Sequence, residues 1–311
     1  MKAYIYSVIT ILFFITPTFY LSAQELLERQ YDLAPQHSRD TQYYMMESKM
    51  QTHASDGTPL GWDVYKLYLR CVPAHDASRG DEYTCLKFTV QLNKSPEVSI
   101  PSLTNWKYYF LLTPSAKDEK GQVLGIDHSK FEKIVDENGR TLPDGNTYHV
   151  YNAFIDFHSM SIFSERTGAG HGVQDLGHLG DKIVHVASFS QPPVNLGSHI
   201  AEGSYFKNGE VTLLFKGLSR VNEKTCALLE YDSGESSFYV LMKPMPNMDV
   251  STKGSSHYWG DIYKDLSTGW IQKATLREMV VAETTIPGQT NKLSSVVERN
   301  ISINNVKQGK F

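Results

Sequence analysis

Apolar and polar residues alternate along most of this chain, and alternation with a period of two predicts half-buried β-strands. The segment 61–72 puts Trp62, Val64, Lys66, Tyr68 and Arg70 on one face and Asp63, Tyr65, Leu67, Leu69 and Cys71 on the other. In 82–92, Cys85, Lys87, Thr89 and Gln91 alternate with Leu86, Phe88, Val90 and Leu92. Further strands are expected over 41–53, which ends in the turn Ala54-Ser55-Asp56-Gly57, and over 104–113, 182–189, 209–218, 224–232, 236–244, 256–265, 269–284 and 294–305. The segments 209–218 and 224–232 read as a hairpin around Ser219 to Glu223.

The middle of the chain breaks this pattern. Asp127 is placed to cap a short helix over 128–138, closed by Asn138-Gly139. In 148–165 the spacing of Tyr148, Tyr151, Phe154, Ile155, Met160 and Phe163 partly follows a helix. Residues 166–181 are glycine-rich and read as a loop. The expected fold is therefore mainly β: curved antiparallel sheets, as a sandwich or open barrel, with one or two helices in the middle. The divisions are an N-terminal β lobe (24–125), a helical and glycine-rich connection (126–180) and a C-terminal β lobe (181–311). Thr84-Cys85 and Thr225-Cys226 each enter a strand after a polar loop. That echo makes two similar lobes one option.

Residues 1–23 differ again. Lys2 precedes an apolar run from Ile5 to Leu21, interrupted by Pro17, and Leu21-Ser22-Ala23 offers a small residue at the cut. This order predicts a secretory signal peptide and an exported protein, periplasmic or extracellular. No cysteine lies there for a lipid anchor, and no later apolar stretch is long enough to span a bilayer. In that compartment Cys71 and Cys85, which flank a polar turn region, are expected to form a disulfide. Cys226 reads as a core thiol.

The 311 residues are 41% hydrophobic and 21% charged, with a formal net charge of −4, as in a folded globular protein. The charges are interspersed, which leaves nucleic acid without an electrostatic footprint. Strand order, and the segment from Tyr258 to Glu283, resembles the periplasmic lipoprotein carriers, in which a curved antiparallel sheet wraps helices. That resemblance rests on no diagnostic motif and implies at most an apolar ligand cavity.

Candidate chemistry is sparse. His171, His178 and His185 recur every seven residues with Asp175 and Asp181 between them. Imidazole and carboxylate suit zinc, so His171, Asp175 and His178 are the candidate metal ligands, although the spacing matches no helical or strand ligand pair. His158, His257 and Asp261 are the candidate catalytic residues, and Tyr258 and Trp259 the candidate ligand contacts. No phosphate-cradling glycine loop is present, so no nucleotide cofactor is expected. Three readings follow. The first is a noncatalytic exported protein binding an apolar or amphipathic ligand or an envelope component, with a deep apolar cavity between sheet and helix. The alternative is a secreted hydrolase or lyase, with or without metal assistance, whose histidines converge. The third is a structural or adhesive surface protein.

Overall fold

The computed structural model describes residues 25, 27–75, 80–110, 126–166, 171–192 and 199–310. The expected signal peptide lies outside the described residues. Among the described residues there are fourteen strands: β1 (Gln42–Ala54), β2 (Pro59–Val72), β3 (Asp81–Leu92), β4 (Val98–Ser99), β5 (Trp106–Phe110), β6 (Lys182–His185), β7 (Ser188–Ser190), β8 (Tyr205–Asn208), β9 (Val211–Val221), β10 (Lys224–Ser233), β11 (Ser236–Met245), β12 (Met248–Asp265), β13 (Ile271–Thr285) and β14 (Leu293–Asn305). A long α-helix, α1 (Asp144–Phe163), sits between β5 and β6 in the chain.

All fourteen strands belong to one antiparallel sheet that does not close. Its main order is β4-β3-β2-β1-β14-β13-β12-β10-β9-β6. The first and last long strands, β1 and β14, pair over eleven residues, from Tyr44–Asn305 to Ala54–Ser295. Strand β12 is long enough to serve two neighbours. Its second half pairs with β10 and its first half with β11, and β8 and then β7 lie beyond β11. The β9–β10 hairpin turns through Asn222 and Glu223, both with left-handed backbone (φ 50° and 65°), the conformation a tight hairpin turn needs.

The sheet curls around α1. The helix buries Val150, Tyr151, Ala153, Phe154, Phe157, His158 and Met160. Phe154 stacks on Phe88 from β3, and Phe157 meets Tyr44 from β1 edge-on. At the other side of the sheet Phe163 stacks on Tyr231 from β10. Both flanks therefore share one core. An irregular lead-in segment is tied down ahead of β1: the Tyr31 backbone N–H donates to the Gly177 carbonyl, the Ser38 N–H to the Thr268 carbonyl, and the Trp270 indole N–H to the Ser38 carbonyl.

The helix expected over 128–138 is a single 3-10 turn, His128–Phe131. Asp127 caps it as expected, accepting from the Ser129 N–H. Asp136 then accepts from the Asn138 and Arg140 N–H groups and turns the chain back, so that Val135 bridges Thr141. These bonds compete with helix continuation.

The expected Cys71–Cys85 disulfide is not formed; both thiols are free and buried. Register explains this. A bulge between Tyr68 and Leu69 and their partners leaves Leu86 unpaired, places Cys85 opposite Leu69, and sets Cys71 opposite Tyr83. The two cysteines are a diagonal apart, about 7–8 Å, beyond the reach of an S–S bond. The same bulge ends the clean alternation expected for 82–92, because Cys85 joins Phe88 and Val90 in the buried set. Burial pushes both thiols up, away from the reactive thiolate.

Gly260 on β12 permits close strand packing. A Cβ there would lie 1.9 Å from the Thr275 carbonyl oxygen and 2.7 Å from the Tyr231 hydroxyl. Gly260→Ala is expected to lower unfolding free energy by about 1–3 kcal/mol through overpacking, read by urea denaturation. An unchanged midpoint would refute that packing role.

Candidate functional site

Strand alternation sorts the sheet into an inner face, toward α1, and an outer face. The inner positions are Tyr258, Gly260, Ile262 and Lys264 on β12, Ala274, Leu276, Glu278 and Val280 on β13, and Val297, Arg299, Ile301 and Ile303 on β14. Three charged residues thus stand in an otherwise apolar row.

Arg299 is central to the first polar cluster. Its guanidinium donates to Glu278 Oε2 at 2.7 Å and to Asp156 Oδ2 of α1. All three side chains are at most 15% exposed. Burial pushes the Asp156 carboxyl up to about 6, against the lowering pull of Arg299. Burial first, then Arg299, lowers nearby His149 to about 4, so that its imidazole is neutral at physiological pH. One turn back from His149, Asn146 near the helix start donates to Asp63 at 3.0 Å and to the Tyr65 hydroxyl at 2.8 Å. These bonds fasten the helix to β2, β13 and β14.

The second cluster caps the other end of α1. Lys264, 1% exposed, donates its ammonium to the Ser164 carbonyl and lies 3.7 Å from Glu165. A cation at the helix C-terminus meets the negative end of the dipole. Burial lowers the Lys264 pKa while Glu165 opposes that shift. Glu165 also pairs with His37 at 3.1 Å, and the His37 ring lies 3.9 Å from Trp270. A cleft of about 20 Å³ lined by His37, Asp81, Tyr83, Ser161, Glu165 and Trp270 opens beside it, room for about one water.

The residues singled out from sequence do not converge. His158 is fully buried in a cage of Tyr83, Tyr108, Phe110 and Phe157, its Nε2 2.9 Å from the Tyr108 hydroxyl. His257 is exposed on the outer face and pairs with Asp232 at 3.0 Å. Asp261 is also an outer-face residue of β12, two strand positions beyond Trp259. The candidate contacts Tyr258 and Trp259 face opposite ways: Tyr258 inward near Tyr231, Trp259 outward beside His257. The candidate metal ligands separate into two surface pairs. His171 meets Asp175 at 3.3 Å, and His178 meets Asp181 at 3.5 Å. Both carboxylates already cap the loop backbone, Asp175 through the Gly172 N–H and Asp181 through the Gly177 and His178 N–H groups. Among the described residues no three histidine, cysteine, aspartate or glutamate side chains are gathered as a metal site would require.

Sequence reading missed Arg299, Glu278 and Lys264. The available signal was their phase: each occupies the inner-face position of its strand, where its neighbours two residues away are apolar.

The space between α1 and the sheet, where a ligand cavity was expected, is filled by the aromatic core. On β8, β11, β13 and β14 the inner face also carries apolar residues that are less deeply buried than the core. There Phe206, Phe238, Val240, Met242, Val280 and Val297 stay only half-buried. Phe206 and Phe238 lie 6.0 Å apart, and the Phe238 ring covers the Gly254 backbone, where a Cβ would fall 2.6 Å from it. This trough, apolar on β8, β11, β13 and β14 and crossed on β12 by Thr252, Gly254 and Ser256, adjoins the Arg299 cluster and is the candidate binding surface.

No protein-family model matches the chain, and no curated protein is significantly similar. Among solved structures, OccK2 (OpdF) of Pseudomonas aeruginosa, in complex with glucuronate, aligns over 88% of this chain and 100% of its own, with 7% identity and a TM-score of 0.21. OmpT, an outer membrane protein of Vibrio cholerae, aligns over 86% and 99%, with 10% identity and a TM-score of 0.20. Among the described residues no helix is long and apolar enough to cross a membrane.

Proposed function

We propose that this chain is an exported, noncatalytic β protein that holds an apolar or amphipathic ligand, or an apolar part of an envelope component, against the inner face of its sheet beyond α1. The observation carrying this reading is the set of half-buried apolar residues Phe238, Val240, Met242 and Val280 on the inner face, with the small residues Thr252, Gly254 and Ser256 of β12 between β11 and β13 and with Val297 at the border of the core. Leaving such a set in water forgoes roughly 25 cal/mol per Å² of apolar area, which a ligand would recover. The dispersal of His158, His171, His178 and His257 removes the support that convergence would have lent to a hydrolase or lyase. Export is inferred from residues 1–23.

Adjacent residues of β13 supply the test, because Val280 faces inward and Val281 outward. Titration with a fluorescent long-chain fatty acid should show saturable binding. Val280→Lys should weaken it at least about tenfold, equivalent to about 1.4 kcal/mol, while Val281→Lys leaves it unchanged. No saturable binding, or equal loss in both variants, would sink the proposal.

A further inference from the structure

Strands β6 and β7 are nearly consecutive, and with Val186 and Ala187 between them they form one margin of the sheet, Lys182 to Ser190. On one side β6 pairs with β9 and β7 with β8; on the other side no strand pairs with them among the described residues. A margin of this kind offers free N–H and C=O groups to another strand.

Its side chains are unusual for an unpaired edge. Val184 is 48% exposed, Val186 83% and Phe189 63%. Pairing of Val184 with Thr212 and of Phe189 with Lys207 puts both on the outer face. The apolar strip runs inward from there, as Phe189 stacks on Tyr205 at 5.6 Å and Tyr205 on Tyr239 at 6.0 Å. Edges are commonly blunted by a central lysine, a proline or an inward charge. From Ile183 to Ser190 there is none of these; Lys182 stands at the start, and Pro192 falls past the end.

We propose that Lys182–Ser190 pairs antiparallel with the same strand of a second copy of this chain. Charge does not oppose self-pairing, and the apolar strip is self-complementary. A two-fold axis near Val186 and Ala187 sends the two Lys182 side chains to opposite ends of the joint strand pair, so no like charges meet. The same axis brings Val184 and Val186 of one copy alongside Ala187 and Phe189 of the other, and extends the aromatic strip across the junction. Because the contact is between identical margins, it closes at two copies and does not propagate. This inference is independent of the ligand reading, since it uses the edge and not the trough.

Sedimentation equilibrium of the chain from residue 24 to 311, over a wide concentration range, is the test. A reversible monomer–dimer equilibrium is expected. Val186→Lys, which brings like charges together at the axis, and Val184→Lys, which sets a charge against the Phe189 of the other copy, should each raise the dissociation constant at least about tenfold. Their thermal midpoints should match the parent at concentrations low enough for all three to be monomeric, because both side chains are exposed. Leu60→Lys, an exposed site on β2, should leave dimerisation unchanged. A chain that stays monomeric at its highest soluble concentration overturns the proposal, even if the edge then accepts a foreign peptide. So does a dimer indifferent to both valine variants. Fatty-acid binding scored with Val280→Lys is a separate readout and would stand or fall on its own.

Discussion

Acidification is expected to destabilise this protein, with His158 as a principal source. Burial alone lowers its pKa from 6.5 to about 3. The unfolded chain therefore binds a proton through a range where the folded chain does not, and stability is lost as pH falls from about 6.5 toward 3. Linkage puts the loss from this one residue at roughly 3 kcal/mol by about pH 4. His149, lowered to about 4, acts in the same direction. Asp156 acts oppositely: its carboxyl is raised to about 6, so its contribution improves as pH falls from about 6 toward 3.8. A difference measurement isolates His158 from both. His158→Phe keeps an aromatic ring against Phe110 but cannot titrate. At neutral pH it should cost about 1 kcal/mol for the lost Tyr108 hydrogen bond. On acidification the gap between the parent and the variant should close and then reverse. Parallel denaturation curves for the two proteins between neutral pH and pH 4 would show that His158 is not held neutral.

Strand positions were readable because one face of each long strand meets a core, and a period of two records that contact directly. The inner set Tyr65, Leu67, Leu69 and Cys71 came straight from alternation and is buried. The hairpin at Asn222-Glu223 and the cap at Asp127 were also local matters. What failed was non-local. A single unpaired residue, Leu86, shifts the partner of Cys71 by one, and no feature of 82–92 taken alone announces it. The helix after Asp127 failed because Asp136 had a better use in a turn. The site was harder still. Sequence reading favoured histidines because imidazole is versatile, yet His171 and His178 each found a carboxylate three or four residues away. Arg299, Glu278 and Asp156 lie far apart in the chain, and only the pairing of β13 with β14 and the docking of α1 bring them together. Their phase within apolar rows was visible; their partnership was not.

Arg299→Met is expected to be the most damaging single substitution among these polar groups, costing about 3–5 kcal/mol. The guanidinium holds two carboxylates that are nearly out of water, and its removal leaves both buried without a cation, Asp156 keeping only a long hydrogen bond from Asn152. The loss would come mainly from those stranded charges, because methionine occupies much of the volume of the arginine stem. Two consequences separate this account from simple loss of packing. First, adding Asp156→Asn and Glu278→Gln to Arg299→Met should restore most of the stability, since uncharged amides cost far less to bury. Second, Arg299→Met should recover relative to the parent as pH falls. Two facing carboxylates without a cation have folded-state pKa values above their unfolded ones, so protonation favours the folded state. Chemical denaturation of the single and triple variants near neutral pH and near pH 5 reads both. A triple variant as unstable as Arg299→Met would mean that the arginine stem, not its charge, secures α1 to the sheet. The helix would then be held chiefly by Phe154 and Phe157, and the boundary of the apolar trough would be set by packing alone.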